Sequence, residues 1–348
     1  MMEIAKEKNH YKKRLRKNIF ILILLLVLLV LLSWISISKG ASSANYKTVI
    51  EVLGNRFFNI GEVSETSKVV VLDIRIPRVC AAIFAGIALS NAGLLMQGIF
   101  QNPLVSPYTL GISNGASFGA AIAIVMGLQF TFLGVYAIPL SAFIFSIITM
   151  ILVYSISKIA KESTKNLVLC GVAVGYLFSS LVSLMKYISG SKDLPEIVFW
   201  TMGSLTNIKK EGIALIMISS VVSLALIIAN GWKFNVISYG RDTSLSLGVN
   251  YNSISRMGIV ISTLMTGVTV AFTGIIGFVG LVSPHITRRI VGNDYRILAP
   301  TSSLVGALLL LASDTIARTI IAPVELPIGV ITSIVGVPFF LYLIIKKR

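Results

Sequence analysis

From Val79 to Ser157 the sequence contains no Asp, Glu, Lys, Arg or His, a run of 79 residues without an ionisable acid or base of those types. The deficit is general. Charged residues make up 13% of the 348-residue chain, about half the usual quarter. The two cysteines, Cys80 and Cys170, lie in apolar runs without CxxC spacing, so neither a disulfide framework nor a zinc site is indicated. The two histidines, His10 and His285, are too few and too far apart for a metal or haem site. No GxxxxGK[ST] phosphate loop, HExxH or GxSxG occurs, and Gly274, Gly277 and Gly280 lack the spacing of a dinucleotide fingerprint. No catalytic residue and no metal ligand set is predicted, and the chain cannot cradle ATP in the usual way.

Apolar side chains fill the place of charge. They make up 55% of the residues, with 28 Gly besides, and mean hydropathy is +0.88. A bilayer-crossing helix takes about 20 apolar residues. The composition therefore predicts an all-α polytopic membrane protein with about ten transmembrane helices, and excludes a soluble enzyme, a disordered chain and a fibre. The apolar runs fall at 19–37, 79–100, 109–126, 131–157, 166–188, 212–231, 254–273, a short one at 279–291, 297–319 and 326–345. The 19–37 run lacks a small-residue cleavage site and is expected to be a membrane helix rather than a removed signal peptide. Breaks inside the charge-free stretch come from Pro103 and Pro107 and from the 127–131 segment.

The net charge of +16 is a topology signal rather than a nucleic-acid footprint, because the basic residues sit at the termini and in short gaps between apolar runs. With the N-terminus inside, the cytoplasmic segments carry nineteen of the 30 Lys and Arg and only five acidic residues, as the positive-inside rule requires. Both termini are then cytoplasmic. The expected organisation is a basic tail over 1–18, a single transmembrane domain over 19–345 and a cytoplasmic tip at 346–348. The domain carries an outer segment at 38–77 and a cytoplasmic segment at 232–256.

Within the spans the one acidic residue is Asp314, with Arg318 four residues later on the same helix face. That pattern reads as a structural pair and not as ion-coupling machinery. Gly111, Gly115 and Gly119 form a stripe suited to close helix packing. The Gly274–Gly280 series predicts a turn leading into a short broken helix, and Pro284 to Arg296 reads as a cytoplasmic turn, either anchoring to lipid or docking a partner. The 239–249 segment reads as a short amphipathic helix closed by Gly248, whose Leu245, Leu247 and Val249 a merely solvated loop would not need.

Several motifs occur in order: Arg75-Ile-Pro-Arg78; Gln97-Gly-Ile-Phe-Gln-Asn102-Pro103-Leu104; Leu110-Gly-Ile-Ser-Asn-Gly-Ala116; Ser244-Leu-Ser-Leu-Gly248-Val; Gly274 to Pro284-His285; Asp314-Thr-Ile-Ala-Arg318; and Glu325-Leu-Pro-Ile-Gly329-Val. From about residue 70 to 345 the chain resembles the FecCD-type permeases, the membrane subunits of ABC importers for iron-siderophore complexes, haem and cobalamin. The resemblance implies a bacterial cytoplasmic-membrane location and a dimer of permease subunits. It also implies two cytoplasmic ATPase subunits that use the ATP-Mg, and an extracytoplasmic substrate-binding lipoprotein. The expected substrate is an iron(III)-siderophore, with haem or cobalamin as alternatives; the rival classes are an ion-coupled secondary transporter and an intramembrane enzyme. Arg75, Arg78 and Arg318 are expected to face outward, either snorkelling to headgroups or, as the resemblance implies, receiving carboxylates of the binding protein. Arg241, Asp242, Leu245, Leu247 and Gly248 are expected to couple to the ATPase. Asn102, Leu104, Ser163 and Thr164 are expected at the inner mouth, as a gate or as ordinary turns.

Overall fold

The computed structural model describes residues 2–40, 45–58, 63–131, 133–160, 164–206 and 208–345. Among these the secondary structure is helical, with no strand. Seven helices are long and apolar enough to cross a membrane: Leu15–Ser38, Glu65–Ile99, Gly134–Ile159, Asn166–Ile188, Lys210–Ala229, Tyr251–Thr273 and Tyr295–Thr319. The other three expected spans are present as shorter helices, Ile112–Val125, Val279–Val291 and Ile328–Ile345. The first helix starts at Met2, so the basic tail forms its opening turns, as straight-chain Lys, Arg and Glu favour. Residues 346–348, the expected cytoplasmic tip, lie outside the described residues.

The 65–99, 251–273 and 295–319 helices form the buried centre, and the flanking helices turn apolar faces outward. Nothing separates apolar helices from apolar lipid except close packing and polar links, and both are present. Gly93 lies against the backbone of Gly280, and Gly115 and Gly119 lie against Thr149, Phe145 and Ser141, leaving no room for a Cβ. Ser262 Oγ donates to the Ala92 carbonyl at 3.0 Å, and Asn91 Nδ2 to Ser303 Oγ at 2.6 Å. The glycine stripe thus packs helices, as its spacing predicts.

Three sequence expectations are corrected. The second span, expected to begin at 79, begins at Glu65, so the expected outer segment at 38–77 holds a helix at Tyr46–Phe58 and the first turns of the 65–99 helix. Pro77 fails to break that helix because a π-helical turn, Val69–Arg75, precedes it and widens the backbone where the ring would clash. Residues 284–291 are helix rather than turn; the turn is Gly292–Asp294. Gly280 likewise lies inside the Val279–Val291 helix, so the break covers only Gly274 to Phe278, both with φ of 66°.

Candidate functional site

At the inner end, the segment after the 210–229 helix folds as Gly231–Ile237, then Arg241–Ser246, before the 251–273 helix begins. The six-residue helix closes on Gly248 as the sequence predicts. Gly248 N–H donates to the Leu245 carbonyl at 3.1 Å and Val249 N–H to the Ser244 carbonyl at 2.8 Å. These are the two bonds of a Schellman cap, and they require the left-handed φ of 72° that Gly248 adopts. Ser244 is buried and ties the helix down, its Oγ donating to the Gly240 carbonyl at 2.6 Å. Tyr239, Leu245 and Leu247 are 71%, 61% and 54% exposed, and Arg241 and Asp242 are exposed beside them. An apolar face held out by a tight cap has no partner within the described residues.

The same segment is bolted to the bundle at two points. Asn235 Nδ2 donates to Asp294 Oδ1 at 2.9 Å, and the Tyr295 N–H donates to Asn235 Oδ1 at 2.8 Å. Asp294 also caps the 295–319 helix and pairs with Arg296 at 2.7 Å. Hydrogen bonding from Arg296, assisted by Asn235, outweighs partial burial and lowers its carboxyl to about 2. The second bolt is the 97–105 turn. Gln101 takes a left-handed φ of 49°, and its Nε2 donates to the Ser238 carbonyl at 3.3 Å. Asn102 accepts the Leu104 N–H at 2.9 Å, which fixes the turn, with Asn102 half-buried and Leu104 48% exposed. Asn102 therefore sits beside the 231–249 segment, near Ser238 and Tyr239. Thr164 opens the 164–188 helix, and Ser163 lies outside the described residues.

Gln97 was quoted in a sequence motif without a role. Pro284 has no N–H to give the Gly280 carbonyl, and Gln97 Nε2 reaches that carbonyl at 3.4 Å and the Leu281 carbonyl at 3.2 Å. Its Oε1 accepts from Arg288. A proline inside a membrane helix was the available signal, because its freed carbonyl needs an outside donor.

At the outer end, Arg75, Arg78 and Arg318 do not face solvent; they are 3%, 8% and 3% exposed. Arg78 Nε donates to Asp314 Oδ1 at 2.9 Å, and Arg78 NH1 donates to Glu325 Oε2 at 2.8 Å. Arg318 Nε lies 3.0 Å from Asp314 Oδ2, an ion pair by charge and distance rather than an aligned hydrogen bond. Arg318 NH2 also donates to Ser36 Oγ at 2.6 Å, and Arg75 NH1 to the Ile37 carbonyl at 2.7 Å. Outward exposure is thus corrected to burial: the fully buried Asp314 draws two guanidiniums inward, and the first helix supplies acceptors. Glu325, in the turn after the 295–319 helix, is the partly exposed member. Burial opposes its ionisation, but Arg78, Thr206 and Arg318 outweigh that and hold its carboxyl below the ordinary value.

Between the two ends, Tyr108, Thr109, Thr201, Gly277, Phe278 and Ser333 belong to the lining of an open cavity of about 640 Å³. Two of its walls are irregular backbone, 106–109 and 274–278. At membrane depth such backbone is tolerated where protein or a water-filled cavity satisfies it. Sequence reading located both breaks and not their convergence.

Comparison with known proteins agrees with this geometry. The FecCD transport family model matches residues 25–346. The uncharacterized ABC transporter permease protein YvrB of Bacillus subtilis is 37% identical, with 96% of each chain covered. The hemin transport system permease protein HmuU of Yersinia pestis is 35% identical over 94% of this chain and 95% of its own. Further relatives are named for import of iron(3+)-hydroxamate, cobalamin and molybdate. A metal-chelate type ABC transporter solved in an inward-facing conformation superposes with a TM-score of 0.82 at 32% identity, covering 94% of this chain and 99% of that one. A match across nearly the whole chain, on a helical bundle with a capped apolar helix at its inner end, shows that the chain belongs to the FecCD transport family of ABC permeases and is a multi-pass protein of the cytoplasmic membrane.

Proposed function

We propose that the chain is the permease subunit of a binding-protein-dependent ABC importer that carries an iron(III)-siderophore inward by alternating access. The observation that carries this reading is the Arg241–Ser246 helix. Its exposed Leu245 and Leu247 and its Schellman cap suit insertion into a cleft of a cytoplasmic ATPase, and its two bolts to the 97–105 turn and the 295–319 helix would carry that subunit's motion into the bundle. Two copies facing each other across the 640 Å³ cavities would enclose a path wide enough for a chelate, since sites for small ligands span roughly 300–1,000 Å³. Relatives named for hemin, iron(3+)-hydroxamate and cobalamin support a bulky chelate as cargo.

The outer cluster is the proposed landing point of the binding protein. A carboxylate arriving there would meet Arg78 by exchanging with Glu325, the partly exposed member of the network, so docking and opening would be linked. Asn102 and Leu104, with Ser163 and Thr164, are proposed as the inner gate. Ion coupling is the weaker reading because Asp314, the buried intramembrane carboxylate, is held by two arginines rather than free to carry a proton. Purification of the tagged chain from its native membrane tests the class: an ATPase subunit bearing the GxxxxGK[ST] loop should copurify, and loss of that subunit on Leu245→Ser/Leu247→Ser should follow. Purification with no ATPase bound would overturn the reading.

A further inference from the structure

A second cavity, of about 340 Å³, opens at the inner end between the 99–101 turn, the 137–159 and 164–188 helices and the first turns of the 251–273 helix. Its chemistry is one-sided. Arg241, Asn252, Ser255 and Arg256 line it, and among the described residues no carboxylate does. Asn252, Ser255 and Arg256 fall at i, i+3 and i+4, one face of the helix, and Arg241 comes from the coupling turn. Neither guanidinium has a hydrogen-bond or ion-pair partner among the described residues, and Asp242 forms no ion pair among them. Ser255 is 7% exposed, and its buried Oγ has no hydrogen-bond partner. A buried hydroxyl left unsatisfied is costly, so it marks a place where an acceptor atom belongs. The adjoining helix N-terminus adds partial positive charge from its first-turn N–H groups.

We propose that this cavity binds a phosphate group, with the forks of Arg241 and Arg256 on its oxygens and Ser255 Oγ donating to a third. Arginine suits that task because its planar donors match a phosphate face. The cavity is larger than a carboxylate needs, and Leu167 and Ile259 give it an apolar wall. It opens among helices whose exposed Ile151, Ile156 and Leu169 face outward, at the cytoplasmic surface where anionic headgroups concentrate. A phosphate there would join the 99–101 turn, the coupling turn and the 251–273 helix through one ligand. The headgroup of an anionic phospholipid and a soluble phosphate share this chemistry.

The test uses the full chain in neutral detergent micelles. In one arm it is incubated with phosphatidylglycerol or, separately, phosphatidylcholine, and retained lipid is counted by native mass spectrometry. In the other arm inorganic phosphate is added without lipid, and the thermal unfolding midpoint is followed. The wild type should retain phosphatidylglycerol about tenfold better than Arg256→Gln, with a several-fold loss in Ser255→Ala and partial retention in Arg256→Lys. Preference for phosphatidylglycerol with no response to inorganic phosphate assigns the headgroup, and a phosphate-dependent midpoint that Arg256→Gln abolishes assigns the soluble ion. Equal retention and equal phosphate response in wild type, Arg256→Gln and Ser255→Ala would overturn the proposal. So would binding of neither probe while an added ATPase shields Arg256 from phenylglyoxal, which would make the cavity a protein contact.

Discussion

Replacing Asp314 by Asn keeps the shape of the side chain and removes its charge from between two arginines. Asp314 is fully buried, with Arg78 at 2.9 Å on one oxygen and Arg318 at 3.0 Å on the other. Removing one partner of a buried pair costs about 3–5 kcal/mol, because the charge left behind is uncompensated. Here two guanidiniums lose a shared anion. Arg78 keeps Glu325 and Arg318 keeps the Ser36 hydroxyl and carbonyl, so the loss should stay within that range rather than exceed it. A chain of this length would then unfold roughly 5 °C lower, measured by intrinsic fluorescence in micelles. Adding Arg318→Met to Asp314→Asn removes one stranded cation and should recover part of the loss. An Asp314→Asn protein within about 1 kcal/mol of wild type, or a double variant no better than the single, would refute the view that this cluster is a closed charge network.

Three further outcomes are expected. Because Gly248 has a φ of 72° with nothing within 4 Å of an added Cβ, substitution there acts through the backbone alone; Gly248→Val should cost about 1–2 kcal/mol and weaken ATPase binding by up to about 5–30-fold, while Gly248→Asn, which tolerates the left-handed region, should lose much less. Asp294 sits at about 2, below its ordinary value of 3.8, so its contribution is present above about pH 4 and lost as pH falls toward about 2; solvent screening reduces it to on the order of 1 kcal/mol, and thermal unfolding of Asp294→Asn should be flatter than wild type across that window. Arg78→Glu, placed against Asp314 and Glu325, should lower thermal stability as well as uptake, so a binding-protein docking assay on this variant must be normalised to folded protein.

The sequence made the spans legible because apolar runs and Pro or Gly breaks are local signals. The Arg241–Ser246 helix was legible for the same reason: leucines on a short polar loop followed by a glycine stop describe a capped amphipathic turn within ten residues. Long-range relations were not. Arg78 meets partners 236 and 247 residues away, and only the Asp314–Arg318 half of that cluster, four residues apart, shows in the pattern. Exposure was misjudged because arginines at a span end look like surface anchors until a buried carboxylate across the bundle is known. The early start of the second span was not legible because a π-helical turn carries the helix past Pro77, and no residue signature announces that turn. Gln97 was hidden because its task, supplying a donor to the carbonyl freed by Pro284, exists only once two helices cross.

The central claim is that another polypeptide, bound at the Arg241–Ser246 helix, moves this bundle. Proteoliposomes containing the permease, its copurified ATPase and the binding protein test it by uptake of radiolabelled iron(III)-hydroxamate. Uptake should require ATP on the ATPase side, persist when an ionophore collapses the proton gradient, and vanish in Leu245→Ser/Leu247→Ser. Uptake by the permease alone that an ionophore abolishes would contradict the account.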